Sequence, residues 1–344
     1  MSIAAPFSRR CLRCIVLLCC ILATAPAFAR CQLARVAEWP VKLEHNRALI
    51  DGFINGHPVG VLIDTGASRT VMTRSAAERL GLDRVDARIS FYGVGGRTRA
   101  ELAEIDEFRL GGAVQKKWPV LVIGEQPMGN VAVILGEDFF ETLDLELDFG
   151  NKVVRLFQPQ DCDKAGLAYW APDTPPLKIA SVRRLAVDVE VNGVPLLALI
   201  DTGSSRSTLD LGVARRAGIT PESPGATSGG CIVGIGSRPV DAFIAPMERF
   251  TIGAERISDA RIAMGDMSGH VMREEIGSHI SKPFDTPEMI LGVDFLLAHR
   301  VFISHSQRAV YFTHNGRSPV FDNKPAPTCS ERASDARSGR PGAR

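Results

Sequence analysis

Aromatic residues are scarce at 6% of the chain, and neither sign of charge dominates: 40 lysines and arginines face 39 aspartates and glutamates, a formal net charge of +1. Without a basic excess, the chain is not expected to bind nucleic acid through a broad cationic face. Beyond the N-terminus no apolar run reaches the roughly 18 residues of a membrane-spanning helix, which excludes a multi-spanning membrane protein. What is present, 45% hydrophobic and 23% charged residues, is the composition of a folded chain and not of a disordered one. The 32 glycines and 21 prolines call for many turns, as in a β-rich protein. A length of 344 residues suggests two or three domains.

Arg9, Arg10 and Arg13 precede the apolar run from Cys14 to Ala25, and Ala27-Phe28-Ala29 closes it. A basic region, a short apolar core and an A-x-A site form a secretory signal pattern, so residues 1–29 are read as a signal peptide, with a retained signal anchor as the alternative. Arg30 before Cys31 does not suit a lipoprotein. Export also decides how the eight cysteines are read. Cys11, Cys14, Cys19 and Cys20 fall in the signal segment, so the Cys11/Cys14 spacing is a decoy for a metal or redox pair. Cys31, Cys162, Cys231 and Cys329 remain, and three complete pairings are open to them in an oxidising compartment.

The chain contains one unit twice. Asp51–Gly66 aligns without a gap on Asp188–Gly203, each copy reading as strand, Asn-Gly turn, and an apolar strand ending in Asp-Thr-Gly. Asn-Gly between such runs is the strongest short hairpin signal. Gly93-Val-Gly-Gly-Arg97 then matches Gly234-Ile-Gly-Ser-Arg238, and Val133-Ile-Leu-Gly-Glu-Asp-Phe139 matches Met289-Ile-Leu-Gly-Val-Asp-Phe295, in the same order. Between these last two landmarks the second copy is longer, around Gly265–Glu288, a segment read as a surface loop. The expected organisation is a lobe at 30–160, a Pro-rich linker at 161–177, a lobe at 178–317 and a tail at 318–344 that is disordered apart from whatever holds Cys329. Short alternating runs such as Ala186–Val191 and Val153–Phe157 indicate strands. Arg74–Leu80 before Gly81 and Leu211–Ala217 before Gly218 read as brief helices with glycine after the C-terminus.

Leu62-Ile-Asp-Thr-Gly-Ala-Ser68 and Leu199-Ile-Asp-Thr-Gly-Ser-Ser205, with the apolar-apolar-Gly segments ending at Gly136 and Gly292, resemble the pepsin-like and retroviral-type aspartic proteases over both lobes. The resemblance implies a mainly β fold of two similar acid-protease-type β-barrel lobes, a pseudo-dimer with the active cleft between them. It implies an aspartic endopeptidase in which Asp64 and Asp201 are the catalytic pair. Two carboxylates about 3 Å apart cannot both ionise, so they share a proton and activate a water. Such chemistry needs no cofactor and no metal. The resemblance places a cross-lobe support role on Thr65 and Thr202 and lets Gly136 and Gly292 pass beside the active turns. Gly66 and Gly203 are expected to allow tight turns that bring backbone N–H groups to the carboxylates. Ser204 stands where the first copy has Ala67, and its hydroxyl is expected to bond the carboxylate and favour its charged form. The pH optimum expected from this mixture is less acid than in pepsin-like enzymes. Tyr92 and Gly93 resemble a flap tip that closes over substrate; the second copy has Val233 there.

Asp173-Thr174 and Asp285-Thr286 lack the glycine and the apolar strand, and the histidines show no His-x-x-x-His pair, so a zinc-protease site is unsupported. Each histidine reads as a lone surface residue. The expected partner is a protein or peptide substrate, with no nucleic acid and no stable membrane span after signal cleavage, and a monomer suffices. The alternatives are a catalytically silent peptide-binding or scaffold protein of the same fold, and a narrow processing protease for one envelope protein.

Overall fold

The computed structural model describes residues 31–181, 184–267, 288–321 and 323–331. The expected signal peptide at 1–29, most of the longer second-lobe loop and the end of the tail lie outside the described residues. In chain order the first half forms β1 (Gln32–Pro40), β2 (Lys42–Glu44), β3 (Arg47–Ile54), β4 (His57–Ile63), β5 (Val71–Thr73) and α1 (Arg74–Arg79). It continues through β6 (Val85–Gly93), β7 (Gly96–Leu110), β8 (Ala113–Ile123), β9 (Val131–Leu135), α2 (Glu137–Phe140), β10 (Asp144–Asp148) and β11 (Val153–Gln160). The second half forms β12 (Leu177–Lys178), β13 (Ala186–Val191), β14 (Val194–Ile200), β15 (Thr208–Asp210), α3 (Leu211–Arg216) and β16 (Thr227–Ile232). After these come β17 (Val240–Ile252), β18 (Glu255–Gly265), β19 (Met289–Leu291), α4 (Val293–Leu297), β20 (His299–Ser304) and β21 (Ala309–His314).

The fold is mainly β and two-lobed. The first sheet runs β2-β3-β4-β9-β5-β8-β7-β6 and curls so that β3 also pairs with β7. The second runs β13-β14-β19-β15-β18-β17-β16, with β13 also pairing with β17. Apart from β2, the two orders are the same, so the repeat seen in sequence is a repeat of topology. Both Asn-Gly turns have positive φ at each residue, 50° and 83° at Asn55 and Gly56, 49° and 81° at Asn192 and Gly193. That is the type I′ geometry whose twist suits a two-residue hairpin. Helices α1 and α3 start at Thr73 and Asp210, whose side chains accept from Ala76 N and Gly212 N. Gly81 and Gly218 follow their ends with φ of 64° and 74°.

A third sheet, β1-β11-β10-β20-β21-β12, belongs to both lobes. Its centre is the antiparallel pairing of Leu145, Glu146 and Leu147 with Ile303, Phe302 and Val301. Glu146, wholly buried there, is held between Arg155 and Arg300 at 2.9 and 2.6 Å and accepts from Tyr169 Oη at 2.6 Å. A buried carboxylate needs such partners, because stranding it costs several kcal/mol. Residues 161–176 connect the lobes while lying against this sheet: Cys162, Leu167 and Ala168 are buried with Phe157, Phe302 and Tyr311.

The disulfides are Cys31–Cys162 and Cys231–Cys329. The expectation of a disordered tail from residue 318 fails for the part up to Glu331. Val320 and Phe321 enter the main core, and Phe321 meets Phe250 and Phe295 edge-on or stacked. Two apolar side chains and a cysteine were enough to dock a segment whose composition is otherwise that of a loose tail. His299 is likewise not a surface residue: it is buried, bonded to Phe295 O and to Glu255.

Candidate active site

Strand β4 ends at Ile63 and β14 at Ile200, so both apolar strands deliver an aspartate to the point where the lobes meet. Thr65 Oγ1 donates to Ile200 O at 2.7 Å and Thr202 Oγ1 donates to Ile63 O at 2.7 Å. Reciprocally, Thr65 N donates to Thr202 Oγ1 at 3.0 Å and Thr202 N to Thr65 Oγ1 at 3.1 Å. Both threonines are buried, so each hydroxyl satisfies a donor and an acceptor that water cannot reach. The result is a closed, pseudo-twofold ring of bonds that locks the two turns in register.

Asp64 Oδ1 accepts from Gly66 N at 3.0 Å and Ala67 N at 2.9 Å; Asp201 Oδ1 accepts from Gly203 N at 2.8 Å and Ser204 N at 3.2 Å. Each carboxyl also lies over the glycine of the opposite turn, so the two charges crowd each other. Their protonation follows from this crowding. Burial, then the negative charge of Asp201, raises Asp64 well above the ordinary carboxyl range. Burial raises Asp201 too, with the N–H of Gly203, the bond from Asp64, the N–H of Ser204 and the charge of Arg184 opposing it. The pair therefore keeps one proton between its two carboxyls at pH values where isolated carboxyls are ionised.

The glycines of the two turns have a reason beyond bending. A Cβ on Gly66 would lie 2.5 Å from Asp201 Cγ, and one on Gly203 would collide with the Asp64 carboxyl. Neither glycine needs a positive φ; each leaves room for the opposite carboxylate. The Ser204 expectation is corrected: its hydroxyl donates to Arg206 O at 2.9 Å, and only its N–H reaches Asp201. The hydroxyl therefore cannot set the pH optimum.

Two acidic residues of the site were not read from the sequence. Asp138 Oδ1 accepts from Thr70 N and Oγ1 at 2.7 and 2.8 Å, while Gly136 N donates to Thr70 Oγ1. In the second lobe Asp294 Oδ1 accepts from Ser207 N and Oγ at 2.6 and 2.7 Å, and Gly292 N donates to Ser207 Oγ. Each carboxylate ties the loop after the active turn to the Gly-led helix beneath it. The signal was the shared Leu-Gly-x-Asp-Phe, in which the aspartate repeats as faithfully as the glycine. Burial pushes Asp294 up to about 6, against the Ser207 bonds that lower it.

The hairpins β6–β7 and β16–β17 meet at their tips. Gly236 N donates to Val94 O at 3.2 Å and Arg238 N to Gly95 O at 3.1 Å. A Cβ on Gly95, at φ 88°, would lie 2.5 Å from Arg238 O, so the contact needs bare backbone. Both lobes thus supply a flap-like hairpin, and Gly93 belongs to this contact through Ile235. Tyr92 stands cross-strand from Arg97 and is 45% exposed, on the opposite face from Phe91. Phe91, with Ile235, packs in the apolar cluster that includes Ala67 beside Asp64. Phe91, and not Tyr92, is thus the hairpin side chain that shares an apolar cluster with Ala67. A cavity of about 480 Å³ opens there, lined by Ser68, Thr70, Ile89, Phe91, Trp118 and Leu121.

The sequence profile of the family described as Aspartyl protease matches residues 50–139 and 187–295, one segment in each lobe and more than half of the chain. The chain belongs to this aspartyl protease family. Among curated proteins, none matches it. Membership implies a peptide as the substrate class, and both matched segments include an Asp-Thr-Gly turn and its Leu-Gly-x-Asp-Phe partner.

Proposed function

We propose that the protein is an exported aspartic endopeptidase whose catalytic pair is Asp64 and Asp201, one from each lobe of a single chain. The observation that carries this reading is the pair of carboxyls crowded against the opposite turns and held by the reciprocal threonine ring. Holding two carboxyls together against their repulsion is costly for a protein that only binds. In the proposed reaction the ionised member takes a proton from a water, whose oxygen adds to the scissile carbonyl carbon. The protonated member donates its proton to the carbonyl oxygen. On collapse of the tetrahedral adduct the C–N bond breaks and a carboxyl proton passes to the leaving amine. The peptide lies extended across the turns, its side chain beside Asp64 entering the Phe91-Trp118 cavity. Thr65, Thr202, Gly66 and Gly203 keep the pair in place, and Ser204 contributes its backbone N–H. A monomer suffices, because both aspartates come from one chain.

Export is supported by the two disulfides, which persist in oxidising compartments, and by the signal pattern at 1–29. Among the described residues no helix is long and apolar enough to cross a membrane. The test is cleavage of a diverse peptide mixture between about pH 3 and 7 by wild type, Asp64→Asn and Asp201→Asn. Activity in wild type and its loss in both variants supports the reading. Loss in only one variant breaks the single-chain pair, and a silent wild type favours the binding protein.

A further inference from the structure

The second lobe places a cation opposite its active aspartate. Strands β13 and β14 pair antiparallel, with Ala186 facing Leu199, and Ile200 N donates to Leu185 O at 2.9 Å. Extending that register by two residues puts Arg184 opposite Asp201. Its guanidinium crosses to the first lobe, where Nη1 donates to Gly66 O at 3.4 Å, the carbonyl of the opposite active turn. The backbone aims it: Arg184 N donates to Ser181 Oγ at 3.2 Å and Ala186 N to Arg184 O at 2.8 Å, a tight bend just before β13.

The first lobe contains the same residue at the same place in its repeat. Arg47 aligns with Arg184, and the β3–β4 register, Leu49 facing Leu62, puts it opposite Asp64. There, however, Arg47 is a regular strand residue paired with Glu44 in the β2–β3 hairpin, and among the described residues it donates to no active-turn carbonyl. The repeat supplied two arginines, and local backbone turned only one toward the pair.

We propose that Arg184 is a positioning residue for the aspartate pair: it fixes the first active turn from the second lobe and sets its positive charge beside the pair. The inference rests on the reading of Asp64 and Asp201 as the working pair. The Arg184 charge acts on Asp201 and on Glu137 at the start of α2, and Glu137 in turn feels Glu141, Arg308 before β21 and Asp138. Glu137 is raised by burial, which leaves the Arg184 charge less compensated as pH falls. A cation favours the ionised form of a neighbouring carboxyl, so removing it moves every protonation step of the pair to higher pH.

The experiment is a carboxyl-carbon NMR titration of the full chain, labelled at aspartate, from about pH 2 to 8. It compares wild type with Arg184→Gln, Arg184→Lys and Arg47→Gln. In Arg184→Gln the step that completes protonation of the pair is expected to rise by about half a pH unit or more, roughly a threefold gain in proton affinity. Arg184→Lys keeps the charge and most of the wild-type curve, which also guards against a variant that merely loosens the fold. Arg47→Gln superimposes on wild type. The acid limb of kcat/KM moves with the titration, whereas a purely structural loss lowers kcat at all pH values without moving that limb. An unshifted pair in Arg184→Gln, or an equal shift in Arg47→Gln, overturns the inference. The titration needs no turnover, so a wild type that cleaves nothing would end the protease reading without deciding the role of Arg184.

Discussion

The hairpins β6–β7 and β16–β17 hold equivalent places in the two lobes, yet they are fastened differently. In the first lobe β6 is the outermost strand of its sheet. In the second, the outer side of β16 is taken by the C-terminal segment: Ala326 bridges Gly229 in parallel, Ser228 Oγ donates to Ala326 O at 2.6 Å, and Cys329 is disulfide-bonded to Cys231. Cys329 N also donates to Asp241 Oδ1 at 2.8 Å, reaching the strand on the far side of the tip. A duplicated unit has therefore become a free hairpin resting on an anchored one. If peptide entry requires the tips to part, the second hairpin must carry its disulfide-bonded C-terminal segment with it, whereas the first carries no such segment.

The largest test of lobe equivalence is the pair itself. Asp64→Asn and Asp201→Asn should each lower kcat/KM by at least about a thousandfold, since neither lobe can supply acid and base alone. Unequal losses would mean that the lobes have diverged in chemistry as well as in scaffolding. Next, the double variant Cys231→Ala/Cys329→Ala should lose about 2–4 kcal/mol of stability, measured by denaturant unfolding. Its amide exchange should rise across 227–241 while that of 85–110 stays at the wild-type level; protection retained in 227–241 would show that hydrogen bonds alone anchor the second hairpin.

Asp294 gives the second lobe a pH-dependent test. Asp294 is 3% exposed and sits at about 6 in the folded chain, above its unfolded value. The folded state therefore binds more protons than the unfolded between these values, and stability falls as pH rises through about 4 to 6. Asp294→Asn should remove that slope, so that its stability relative to wild type improves by up to about 3 kcal/mol between pH 4 and 7. Urea unfolding at the two pH values decides it. The smallest effect belongs to the hairpin face: Phe91→Ala should raise KM for peptides with a large side chain beside Asp64. Tyr92→Phe should leave KM near wild type, and a matching rise there would reverse the assignment of the two faces.

Much of this site was legible before any coordinates. The Asp-Thr-Gly repeats, the Asn-Gly turns and the glycine-ended helices depend on local backbone chemistry, and a duplicated pattern marks each of them twice. Asp138 and Asp294 were visible in the repeat but had no local meaning, because their partners Thr70 and Ser207 lie 68 and 87 residues away. Ser204 was misread for a related reason: a hydroxyl beside a carboxylate can turn to any near acceptor, and the Arg206 carbonyl was the one within reach. Tyr92 and Phe91 are neighbours in sequence, and strand alternation guarantees that they face opposite ways without saying which face meets the site.

By itself the amino-acid sequence determined the two-lobed β architecture, the two Asp-Thr-Gly turns and the strands that carry them, because these follow from residue periodicity, turn chemistry and repetition. Only the tertiary structure decided which cysteines pair, which hairpin is anchored, which of the two equivalent arginines reaches an active turn and where the tail goes. Those outcomes depend on distances between residues remote in the chain, and a repeat carries the same local instructions into two different surroundings.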